Sequence, residues 1–225
     1  MRILILGAGA TGGYFGGRLL QAGRDVTFLV RPRRASELAG SGLVIKSSRG
    51  DVTLLDPPTV SSENLDGTYD LILLSCKAYD LEDAIAAIAP AVGTDTMIVP
   101  LLNGMRHLDV LAERFGASKV LGGLCVIAAT LDDERSIVHL NDLHSITFGA
   151  RNEQQAERMV QVGGALEGAG FDAITSEDIM QAMWEKWVLL ATLAAMTCLM
   201  RASVGVIVAS PGGADMVRRL FGECA

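Results

Sequence analysis

The stretch MRILILGAGATGGYFGGRLLQAGRDVTFLV, residues 1–30, decides the fold. Arg2 to Leu6 is a short, mostly apolar run that reads as a strand. Gly7, Gly9 and Gly12 follow at the spacing G-x-G-x-x-G; Tyr14 to Ala22 reads as a helix and Asp25 to Val30 as a second strand. Strand, glycine turn, helix, strand is the context that the dinucleotide-binding fingerprint requires. Gly7 lets the chain turn sharply, Gly9 lets backbone approach a pyrophosphate, and Gly12 lets the helix pack close to the sheet. Gly7, Ala8, Gly9, Ala10, Thr11 and Gly12 together form the expected cradle. The helix start would offer N–H groups and the positive end of its dipole to phosphates.

Working outward, the end of the second strand carries no acid. A cofactor with a free ribose 2′-hydroxyl is usually held there by Asp or Glu. Here Arg31, Pro32, Arg33 and Arg34 follow, and Asp25 comes too early. An arginine at this place suits a 2′-phosphate, so NADP(H) is expected over NAD(H), with Arg31 best placed.

Composition agrees with an α/β protein. Half of the 225 residues are hydrophobic, only 5% are aromatic, and 25 are glycine, which suits parallel strands buried on both faces. A net charge of −7 without a basic run argues against a nucleic-acid partner. Cys76, Cys125, Cys198 and Cys224 include no C-x-x-C pair and read as reduced thiols of a cytoplasmic protein. Three histidines without ligand spacing give no metal site. The N-terminal apolar run is too short for a signal peptide. The apolar run between Lys186 and Arg201 reads as a buried helix too short to span a bilayer, so no membrane is expected.

Further along, Ala35–Leu38 reads as a short helix, Leu43–Lys46 and Asp51–Leu54 as a hairpin, and 56–68 as a loop. Asp70–Cys76 and Thr96–Leu102 read as buried parallel strands, separated by a helix over Leu81–Ile88. A helix over 107–115 and a strand over Lys119–Leu121 follow. Cys125–Thr130, Ser136–Leu140 and Ser145–Phe148, parted by polar turns, suggest an antiparallel extension of the sheet. Glu153–Ala169 reads as a helix and Phe171–Ile174 as a last strand. From Asp178 onward everything reads helical: one long helix to about Met200, a break near Gly205, and a further start after Pro211-Gly212-Gly213. The expected architecture is a Rossmann-type doubly wound domain over 1–174 and the start of an all-helical domain over 175–225. The chain stops at Ala225 within an amphipathic pattern, so either the helical domain continues or another subunit covers its apolar stripe.

Doubly wound sheets bind ligands beyond the carboxyl ends of their strands. Lys77 and Asn103 occupy such ends, and Lys186 lies in Trp184-Glu185-Lys186-Trp187 near the start of a long helix. Each alone could be an ordinary solvated or turn residue. Hydride reduction of a ketone needs a cation or acid near the developing alkoxide, and a keto acid adds a carboxylate to be neutralised. Two lysines and an asparagine would meet those needs.

Gly7-Ala-Gly-Ala-Thr-Gly12, Ser75-Cys-Lys-Ala-Tyr-Asp80, Leu102-Asn-Gly-Met105 and Trp184-Glu-Lys186, in this order, resemble the ketopantoate reductase family. These are NADPH-dependent 2-dehydropantoate 2-reductases of pantothenate and coenzyme A biosynthesis. The resemblance implies that Lys186 is the general acid toward the carbonyl and that Asn103 lies at nicotinamide and substrate. It also implies that Lys77 lines the cofactor site and that Arg31 meets the 2′-phosphate. Hydride would pass to the 2-keto carbon and give (R)-pantoate. Where the family carries asparagines one and two turns after the lysine, this chain has Leu190 and Ala194, and the family's substrate-binding serine and glutamate lie beyond Ala225. A more apolar 2-keto acid, or a non-catalytic NADP-binding module, are the alternatives these departures open. A homodimer through the helical domain is expected, because residues 187–200 are apolar on all sides.

Overall fold

β1 (Arg2–Leu6) runs through the glycine turn into α1 (Ala10–Gln21) in the computed structural model, which describes all residues from Met1 to Ala225. β2 (Asp25–Leu29), α2 (Pro32–Ser41), β3 (Leu43–Lys46), β4 (Val52–Leu54), β5 (Thr59–Val60) and β6 (Tyr69–Leu74) follow. Then come α3 (Leu81–Ile88), β7 (Val92–Pro100), α4 (Arg106–Phe115), β8 (Gly122–Leu131), β9 (Ile137–Gly149), α5 (Ala156–Leu166) and β10 (Asp172–Thr175). The chain ends in α6 (Ile179–Met200), α7 (Val204–Ala209) and α8 (Gly213–Cys224). It divides into two units, Met1–Ile179 and Met180–Ala225.

The first sheet is wholly parallel, in the order β5-β2-β1-β6-β7. Its central strands are apolar throughout because helices and a second sheet cover both faces; Ile3, Leu4, Ile5, Leu71, Ile72 and Leu74 are fully buried. β5 lies in the stretch read as loop. Pro57 and Pro58 hid it, yet Pro58 only has to accept, taking the Phe28 N–H at its carbonyl.

The expected antiparallel strands are present but do not extend this sheet. β8 pairs antiparallel with β9 in a second, mixed sheet, in which β9 also runs parallel to β3 and β10, while β3 and β4 form the expected hairpin. Nor is there a turn at Asn141-Asp142. β9 is continuous over 13 residues, and the polar pair sits where its pairing with β8 shifts register, between Ile127 and Ala129. A bulge of this kind tolerates polar residues without ending the strand. Lys119–Leu121 makes only an isolated bridge, Val120 to Ile98.

α1 lies between the sheets because its glycines admit both. A Cβ on Gly16 would stand 2.5 Å from the Phe28 ring, and one on Gly17 2.8 Å from Ile45. Tyr14 Oη shares a 2.7 Å hydrogen bond with His144 Nδ1, tying α1 to β9. The first unit ends later than residue 174 because Ile179 still packs on it: added Cβ atoms at Gly122 and Gly149 would both strike the Ile179 side chain.

In the second unit the break falls at Arg201, which has φ 49°, and Gly205 lies inside α7. The long helix expected from Asp178 to about Met200 is present, and the apolar run after Lys186, taken alone as too short to span a bilayer, is part of it. Glu185 and Lys186 do not stop the helix, so α6 begins at Ile179 and runs 22 residues. By length and composition it is long and apolar enough to cross a membrane, and only 17% of its most apolar window is buried. Leu189 and Leu199 are exposed.

Candidate functional site

The order of the first sheet reverses between β1 and β6, the point where open parallel sheets take ligands at their carboxyl ends. Gly7 follows β1 with φ 89°, a conformation that favours glycine, and its N–H donates to the Leu29 carbonyl at 2.9 Å. Ser75 follows β6, and its Oγ donates to the Leu6 carbonyl at 2.8 Å. These two bonds tie together the ends of β2, β1 and β6.

Gly9 caps α1 with no side-chain bond, and the first turn carries no acidic residue. The N–H groups of Ala10, Thr11 and Gly12 thus open a helix whose dipole favours an anion. A Cβ on Gly9 would meet nothing within 4 Å, whereas one on Gly12 would stand 2.2 Å from Ser75 Oγ and 2.5 Å from the Gly7 carbonyl. Gly9 keeps the outer approach open and Gly12 allows the loop to close on itself. Gly12 brings the start of α1 close to the ends of β1 and β6, as expected, and Gly16 does the same farther along the helix against Phe28 and Ile5.

Arg31 opens α2 with an exposed side chain, and its Nη2 donates to Asp80 Oδ1 at 3.2 Å. Arg34 is largely buried; its Nε donates to the Ala8 carbonyl at 3.0 Å and its Nη1 to Glu37. Arg34 therefore supports the glycine loop from beneath. Glu37 also pairs with Arg33 and Arg135. The Arg34 guanidinium holds the Glu37 carboxyl below its usual range, with Arg135 and Arg33 adding to the effect.

Lys77 is exposed in the turn after β6, where its carbonyl accepts from the Asp80 N–H at 2.9 Å. Asn103 is exposed beyond β7, next to Gly104 at φ 85°. The first unit thus gathers the glycine loop, Arg31, Lys77 and Asn103 at the ends of four adjacent strands. Lys186 is half-buried on α6 of the second unit, followed on that helix by half-buried Leu190 and exposed Ala194. Burial pushes the Cys76 thiol up to about 11, so it stays protonated at neutral pH and offers no thiolate nucleophile.

Sequence reading missed Ser75, Arg34 and Asp80. Ser75 stood directly at the end of a buried strand, and Arg34 was one of three neighbouring arginines, but only contacts across the fold separate their roles.

His107, in the first turn of α4, is 4% exposed, and its Nε2 has no hydrogen-bond partner. Burial lowers it to about 4, with the nearby Arg151 charge adding. The unfolded chain takes up this proton near pH 6.5, and the folded chain only near 4. This contribution is complete above about pH 6.5 and is lost as pH falls toward 4, by about 3 kcal/mol. Urea denaturation from pH 7 to 4 is expected to show His107→Gln losing less stability than wild type. Parallel losses would remove His107 from this role.

The family model described as Ketopantoate reductase PanE/ApbA matches residues 3–153, and that of its C-terminal domain matches residues 178–225. The chain is 38% identical over 223 residues to the uncharacterized oxidoreductase YkpB of Bacillus subtilis strain 168, covering 99% of this chain and 73% of that protein. It is 26% identical to a 2-dehydropantoate 2-reductase of Streptococcus pyogenes serotype M3, covering 99% and 72%. The crystal structure of 2-dehydropantoate 2-reductase from Geobacter metallireducens GS-15 superposes with a TM-score of 0.90 at 30% identity, covering all of this chain and 74% of that one.

Proposed function

The chain belongs to the ketopantoate reductase family, and from that premise we propose that it is an NADPH-dependent reductase of a small 2-keto acid, with 2-dehydropantoate giving (R)-pantoate as the leading substrate. The observation that carries this reading is the uncapped start of α1, open at Gly9, set among strand ends that present Arg31, Lys77 and Asn103. These residues fit a dinucleotide. The backbone of Gly7 to Gly12 takes the pyrophosphate, Arg31 meets the 2′-phosphate, and Lys77 adds positive charge to the cofactor site.

When bound, the nicotinamide supplies a hydride to the keto carbon. Asn103 orients substrate and nicotinamide through its amide. Lys186 polarises the carbonyl and delivers a proton to the oxygen as the alkoxide develops; free lysine titrates near ~10.4 and is charged at neutral pH. Ser75 and Arg34 do not touch substrate in this scheme; they hold the loop that does the binding.

Leu190 and Ala194 favour a second reading, a more apolar 2-keto acid. An apolar wall cannot pair the hydroxyls of a polyol acid and discriminates weakly in their favour. A panel of 2-keto acids assayed with NADPH decides between the two. Ketopantoate with the highest kcat/KM supports the first reading; a branched apolar 2-keto acid ranking above it supports the second. NADPH binding with no turnover of any member would leave a binding module.

A further inference from the structure

The acid that β2 lacks is supplied from another strand. No carboxylate follows β2 until Glu37, and Glu37 is occupied by Arg33, Arg34 and Arg135. Asp80 closes the turn after β6 and stands at the N-cap of α3, yet makes no capping bond there. An aspartate in that position ordinarily accepts from an amide of its own helix. Asp80 instead accepts from Arg31 Nη2 at 3.2 Å, across 49 residues of sequence. The pair is open to solvent, with the Arg31 side chain 79% and that of Asp80 35% exposed. An ion pair so exposed adds little to stability. What it does is hold a carboxylate against Arg31, the arginine to which the 2′-phosphate role was given above.

We propose that Asp80 sets the preference between nicotinamide cofactors with and without a 2′-phosphate, by competing with that phosphate for Arg31. The proposal rests on the cofactor role given to Arg31 above. A 2′-phosphate on Arg31 meets a like charge already there, and the two repel. A free 2′-hydroxyl is a donor, which a carboxylate accepts, as the acid at the end of β2 does in NAD-binding folds. One side chain therefore weakens the phosphorylated nucleotide and spares the other. Asp80 acts as a positioning residue, through Arg31, and moderates the preference that the arginine creates.

Calorimetric titration with adenosine 2′,5′-bisphosphate and with 5′-AMP tests this apart from catalysis. Asp80→Asn is expected to bind the bisphosphate about tenfold tighter than wild type, with 5′-AMP no tighter. A merely structural role would move both nucleotides together. Arg31→Ala is expected to weaken the bisphosphate alone. If Asp80→Asn leaves the ratio unchanged or lowers it while Arg31→Ala lowers it, the role of Asp80 is overturned and the cofactor reading stands. If Arg31→Ala leaves the ratio unchanged, or wild type binds neither nucleotide, the cofactor reading fails and the role of Asp80 fails with it.

Discussion

Lys186→Ala is expected to lower kcat by about 100- to 10,000-fold while the affinity for NADPH stays nearly unchanged, the range that a positioned proton donor contributes. Reduction of a ketone leaves negative charge on oxygen, and without a donor that charge develops in full before water can reach it. Alanine is the best helix former, so α6 keeps its conformation. Lys186→Arg keeps the charge but holds its proton too tightly to give it up, so it should recover little of the lost rate. Steady-state kinetics with the preferred 2-keto acid, beside a fluorescence titration with NADPH, read both quantities. Equal turnover in Lys186→Ala and wild type would remove the lysine from the chemistry.

Gly9→Ala and Gly12→Ala are expected to fail in different ways. Gly9 has φ −81° and open space around its Cβ position. An alanine there meets no clash and costs only the modest loss of a glycine N-cap, but stands where the pyrophosphate must approach. Overpacking of that kind costs about 1–3 kcal/mol, or roughly 5- to 150-fold in NADPH affinity. At Gly12 the new methyl meets Ser75 Oγ and the Gly7 carbonyl within the free protein. Gly12→Ala should therefore lose about 1–3 kcal/mol of folding stability as well as cofactor binding. Denaturant unfolding and NADPH titration of both variants check the contrast. A Gly9→Ala protein that binds NADPH as wild type does would show that no phosphate lies over this loop.

The carboxyl-end residues were legible in the sequence because each followed a buried apolar run: Gly7 after Ile3–Leu6, Lys77 after Leu71–Leu74, Asn103 after Met97–Leu102. A parallel strand covered on both faces announces itself by composition alone, and its C-terminal neighbour is then found by counting. The second sheet was less legible. β9 passes through Asn141-Asp142, two residues that in isolation end strands, and its pairing with β8 on either side of the register shift keeps them within the strand. β5 was hidden by prolines whose missing N–H does not matter at a sheet edge. In the second unit the long helix after Asp178 was legible, since the charge pair Glu185-Lys186 interrupts an apolar run without interrupting a helix.

The sequence by itself determined the glycine turn, the strand–helix alternation and the acid-free exit of β2, because each depends on backbone preference and side-chain period within a few consecutive residues. Tertiary structure alone decided what those residues touch. It set Ser75 against Gly12, Arg34 beneath Ala8 and Asp80 on Arg31. Contacts across tens of residues follow from how the strands are ordered in the sheet, and no local pattern carries that order. The β2 exit shows the difference. Read alone it holds only arginine; in the folded chain a carboxylate from the β6 turn stands beside it, because β6 and β2 flank β1 on opposite sides.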